Sequence, residues 1–142
     1  MQELLALNPD HPDALNFVGY SFAERGVRLD EAEKLVGRAL ELRPGNGYFM
    51  DSLGWVCFQK GDLGRAVGLL EKADAASGGE PTILEHLGDA YRRGGRPADA
   101  EKAWRRALKA LKQGAEAERP TQQAALERKI REVSPEIRPA RR

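Results

Sequence analysis

Residues 48–80 read YFMDSLGWVCFQKGDLGRAVGLLEKADAASGGE, and this stretch decides how the whole chain is read. One apolar segment carries Gly54 behind Leu53, Gly61 and Asp62 interrupt it, and a second apolar segment carries Ala66 and Ala73. The same small residues return on both sides. Glycines stand at Gly19, Gly54 and Gly88, spaced 35 and 34 residues apart. Alanines stand at Ala32, Ala66 and Ala100, and again at Ala39, Ala73 and Ala107, every step 34 residues. A fixed period of this size marks a stacked array, in which each unit buries its apolar face against a neighbour. Helices whose axes lie about 8–10 Å apart need short side chains where they touch. A glycine within a helix costs about 1 kcal/mol relative to alanine, so its in-phase return predicts a packing demand.

The pattern resembles the tetratricopeptide repeat, a pair of antiparallel helices. Leu15, Val18, Gly19, Phe22, Ala32, Val36, Ala39 and Pro44 match a first full repeat. Met50, Leu53, Gly54, Cys57, Ala66, Leu70 and Ala73 match a second, and Leu84, Leu87, Gly88, Tyr91, Ala100, Trp104 and Ala107 a third. Gly78 and Lys112 stand where the second and third repeats would carry a closing proline. The first repeat holds one extra residue between Gly19 and Ala32, in the turn Gly26-Val27-Arg28-Leu29. The resemblance implies an all-α fold, a right-handed α-solenoid of antiparallel helix pairs. Its repeats cover residues 12–46, 47–80 and 81–114.

Outward from the repeats, residues 1–9 read as the end of a second helix, with Leu5 and Leu7 in phase with Leu40 and Leu42. That phase predicts a piece of a longer array, with a degenerate first repeat as the alternative. Asp10 is expected to cap the first helix of repeat one and Asp30 its second. Residues 120–133 carry Leu126, Ile130 and Val133 on one stripe and Glu127, Arg128, Lys129 and Glu132 on the other side. This predicts a capping helix over repeat three, with an amphipathic partner-binding helix as the rival reading. Residues 134–142, with two prolines, are expected to fray.

The totals exclude several function classes. A chain of 142 residues is expected to form one domain. Lys and Arg number 23 against 22 Asp and Glu, a net charge of +1 that provides no general field for nucleic acid or an anionic membrane. Basic residues do gather in repeat three, but Glu85, Asp89, Asp99 and Glu101 dilute them and no aromatic series accompanies them. No apolar run predicts a membrane span, and no secretory pattern opens the chain. The single cysteine, Cys57, rules out an internal disulfide and reads as a small buried hydrophobe. The two histidines are His11, in a turn before Pro12, and His86, which does not share a helix face with its neighbour Glu85; Cys57 has no histidine at helical spacing. No catalytic residue, cofactor site or metal site is expected.

Family resemblance implies that the first helix of each pair lines a concave side. In repeat two a second stripe, Tyr48, Asp51, Trp55, Phe58 and Gln59, runs beside the core stripe of Met50, Leu53, Gly54 and Cys57. A globular helix needs only one apolar face, so the extra aromatics call for an explanation. The equivalent positions include Asn16 and Tyr20 in repeat one and Glu85, Asp89 and Arg92 in repeat three. Together they form a candidate groove for a partner peptide or helix, aromatic in part and acidic in part. Tyr20 and Trp55 could equally be packing between neighbouring first helices. Carboxylates on this face disfavour an acidic tail of the kind that lysine-bearing members of the family clamp. The expected function is therefore a non-catalytic protein-interaction scaffold. The alternative is a self-assembly module that forms a homo-oligomer through an exposed repeat edge or the C-terminal helix. The alanine- and arginine-rich composition resembles that of proteins from high-GC bacteria, and nothing in the sequence selects between the cytoplasm and the periplasm or envelope.

Overall fold

The computed structural model describes residues 2–114 and 119–137. The described residues form eight α-helices and no strands: α1 (Gln2–Leu7), α2 (Pro12–Arg25), α3 (Leu29–Leu42), α4 (Gly47–Lys60), α5 (Leu63–Ser77), α6 (Pro81–Arg93), α7 (Pro97–Gln113) and α8 (Pro120–Ile137). Instead of one domain, the chain divides into two compact units, Met1–Ser77 and Gly78–Arg142. Repeat arrays allow this, because each pair touches only its neighbours.

Helix starts repeat in phase. His11, Asn46 and Glu80 precede α2, α4 and α6, and each side chain accepts a hydrogen bond from the backbone N–H three residues on, at 3.2, 3.0 and 3.0 Å. The expected cap Asp10 is thus one residue early; its carboxylate pairs with Arg38 instead. Asp30 is likewise no cap, since α3 begins at Leu29 behind Arg28, whose φ of 51° is left-handed. The extra residue of the first turn is accommodated there. Arg28 pairs with Glu31 and stacks 4.9 Å over Phe22, contacts that hold an otherwise unfavourable backbone. α2 and α4 end on Gly26 and Gly61, at φ 65° and 83°, where a side chain would be strained.

The in-phase glycines are seats for side chains of the second helices. A Cβ on Gly19 would lie 2.5 Å from Val36 Cγ2, one on Gly54 would lie 2.8 Å from Leu70 Cγ, and one on Gly88 would lie 2.2 Å from Trp104 Nε1. Val36, Leu70 and Trp104 occupy one repeat position and grow in size along the chain. Ala32, Ala66, Ala100, Ala39, Ala73 and Ala107 are fully buried beside them. Gly54→Leu or Ala66→Leu is therefore expected to cost about 1–3 kcal/mol by overpacking, read as a lower denaturation midpoint. An unchanged midpoint would contradict the seat.

In the first unit, Val18, Phe22, Ala23, Ala32 and Val56 form one apolar cluster, and Leu15, Ala39 and Phe49 another. Phe49 is buried whereas Met50, assigned to the core stripe from the sequence, is only half-buried. In the second unit α8 lays Leu126, Ile130 and Val133 into the core. This helix continues through Pro135 to Ile137, so residues 134–137 are helical and not frayed. Residues 138–142 of the expected tail lie outside the described residues.

Candidate peptide-binding face

Seven of the ten sequence-assigned residues lie on α2 and α4 in the first unit. The rings of Trp55 and Phe58 stack in parallel, centroids 4.5 Å apart with 5° between planes. Both are half-buried, and Trp55 also packs against the Val18–Phe22 cluster. Trp55 thus serves the packing role while its ring remains partly open. Gln59 ties α4 to α2, its Nε2 donating to the Ala23 carbonyl at 2.8 Å. The Tyr20 hydroxyl donates to Glu24, a bond within one helix. Tyr48 is 59% exposed, whereas Asp51 is buried. Asn16 keeps a buried Oδ1 that no donor among the described residues reaches.

The other three residues, Glu85, Asp89 and Arg92 on α6, face α8. Lys129 Nζ lies 2.7 Å from Glu85 Oε2 and 2.9 Å from Asp89 Oδ1. Gln122 Nε2 donates to Glu85 Oε1 at 3.0 Å and to the Thr82 hydroxyl at 3.3 Å. Arg92 pairs with Glu132 at 3.3 Å and Glu136 at 3.1 Å. Trp104 Nε1 donates to the Glu85 carbonyl at 3.3 Å and to Asp89 Oδ1 at 3.2 Å. Burial raises the Asp89 carboxyl above its ordinary pKa, and the Lys129 charge only partly offsets this. Burial alone would lower the Lys129 pKa; Asp89 and Glu85 outweigh it and raise the ammonium above its ordinary value. In the second unit, then, an intramolecular helix already covers the first-helix face.

Lys129 is the residue that sequence reasoning missed. Charge patterning places it on the solvent side, yet it stands three residues after Leu126 and four before Val133, inside the apolar stripe. A cation within such a stripe signals a buried acidic partner, and Glu85 and Asp89 share a face at the matching i,i+4 spacing. Among the described residues no group of three or more His, Cys, Asp or Glu side chains is arranged to hold a metal ion, and no helix is long and apolar enough to cross a membrane.

A family model described as tetratricopeptide repeat matches residues 1–47 and 27–81, more than half of the sequence. The chain belongs to the tetratricopeptide repeat family. A TPR repeat-containing protein of Pseudomonas aeruginosa is 37% identical over 70 residues, covering 49% of this chain and 12% of that relative. This tetratricopeptide chain therefore matches only a small part of its relative's length. Among solved structures, a type III secretion complex from Aeromonas hydrophila superposes with a TM-score of 0.80 at 18% identity, covering 97% of this chain and 90% of the other. The Yersinia enterocolitica translocator chaperone SycD gives 0.77 at 16% identity, covering 91% and 96%. PcrH in complex with the chaperone binding region of PopD gives 0.76 at 18% identity, covering 91% and 95%. At these identities the likeness is one of fold.

Proposed function

We propose that this tetratricopeptide chain is a non-catalytic protein-interaction scaffold whose face on α2 and α4 takes a peptide or helix of a partner. The observation that carries the reading is the half-open Trp55–Phe58 stack, flanked along α4 by exposed Tyr48. Rigid aromatics anchored on one side and open on the other supply contact area at little entropic cost. PcrH holding a segment of PopD supports the reading by likeness of fold. To test it, short peptides are selected by display on the wild-type chain, labelled and titrated by fluorescence anisotropy. Trp55→Ala, with its helical circular dichroism intact, is expected to weaken binding about tenfold or more, as for a central aromatic anchor. Selected peptides that bind Trp55→Ala as tightly as wild type would contradict the assignment.

A second reading, self-assembly, rests on Phe17. One period on from Phe17 and Ser21 stand Ser52 and Val56, both buried, yet Phe17 is 55% exposed and Ser21 half-exposed. Phe17→Glu would then dissociate a concentration-dependent oligomer in light scattering. A wild-type monomer at all concentrations would remove this reading and leave the first untouched.

A further inference from the structure

The outer faces of the three second helices are not alike. On α7, Lys102, Arg105, Lys109 and Lys112 follow at spacings of three, four and three, and all four are exposed. Such spacing aligns them on one side of the helix. One period earlier, α5 places Gly68, Glu71 and Ala75 at the positions of the first three; two periods earlier, α3 places Lys34, Gly37 and Glu41. The cationic row is therefore peculiar to α7 in a chain whose net charge is only +1. Arg105 pairs with Glu101 at 3.0 Å, but among the described residues no carboxylate pairs with the three lysines. Between them, Leu108 is half-buried, and with Arg105, Lys109, Lys112 and Gln113 it lines a shallow groove of about 340 Å³.

This lining selects among anionic partners. It contains no aromatic ring on which a base could stack, as single-stranded nucleic acid requires. A lone leucine falls far short of the apolar face that a membrane-bound helix buries. An apolar floor rimmed by cations instead matches a protein segment with the inverse pattern. We propose that this face of α7 docks an acidic amphipathic segment of a partner protein, one apolar side chain seated on Leu108 and carboxylates set against the basic row.

The probe is a fluorescein-labelled synthetic helix of glutamate and alanine with a single leucine stripe, compared with its glutamine-for-glutamate counterpart. Anisotropy is expected to show binding of the glutamate helix that weakens with salt. Lys109→Glu combined with Lys112→Glu is expected to reduce affinity about tenfold, and Leu108→Ser several-fold, in variants whose melting matches wild type. Lys34→Glu on α3 should change nothing. The proposal is overturned if the glutamate helix fails to bind, if the glutamine helix binds equally, or if the charge-reversed variant is unaffected. Tighter binding of a labelled DNA duplex or of phosphatidylserine vesicles than of the glutamate helix would overturn it as well.

Discussion

Trp104→Ala is expected to lower the stability of the second unit by about 3–5 kcal/mol, the usual cost of emptying a buried aromatic site. The indole is 1% exposed, lies on bare Gly88, and donates to both Glu85 and Asp89, so alanine would remove packing and two acceptors' donor together. Denaturation followed by circular dichroism reads the loss. Amide hydrogen exchange should place it in α6, α7 and α8. Trp104→Phe retains most of the ring volume and loses the N–H, and is expected to cost about 1–2 kcal/mol. Equal losses for the two variants would show that the hydrogen bonds, and not the seat on Gly88, dominate.

Lys129→Met comes next in size. Its methylenes are roughly replaced, but Glu85 and Asp89, with side chains 17% and 18% exposed, would lose their counter-charge. Breaking a buried pair on one side costs about 3–5 kcal/mol, and the residual exposure here favours the lower end, about 3 kcal/mol. The pH dependence follows from the shifts. The folded Lys129 pKa is raised, so its contribution is complete below its unfolded value of 10.5 and is lost as pH rises through the folded value. Asp89 is also raised, so its charged form burdens the fold once pH climbs past 3.8, and protonation relieves the burden. His86 and Glu85 face the same carboxylate and act on it with opposite sign, His86 lowering its pKa and Glu85 raising it. The gap between wild type and Lys129→Met should therefore narrow on acidification below neutral pH. Since Trp104, Asp89 and Lys129 share one network, their single losses should not add.

The helix pairs were legible in the sequence because glycine and alanine can be read by size alone, and their period needs no tertiary knowledge. The caps were not legible from local preference. Phase fixes residues 11, 46 and 80, whereas intrinsic preference pointed to Asp10 over His11. Propensity is a local quantity, and the extra residue before α3 shifted that start by turn geometry. The candidate face was only half legible. On α4, Trp55 and Phe58 stack on each other, where the surplus apolar stripe of the sequence left groove and packing equally open. On α6, Glu85 and Asp89 look like open groove acids until they are paired with Lys129, forty or more residues on, which charge patterning alone places in solvent. The division into two units had no local signature beyond Gly78-Gly79.

A double-mutant cycle on Gly88 and Trp104 tests the seat-and-side-chain geometry most directly. In the wild-type background Gly88→Ala should destabilise by about 1–3 kcal/mol, because its Cβ meets the indole. In the Trp104→Ala background the clash is gone, and Gly88→Ala should instead stabilise by up to about 1 kcal/mol through helix propensity. The same destabilisation in both backgrounds would mean that Gly88 is not the seat of Trp104, and the packing scheme of the repeats would fail with it.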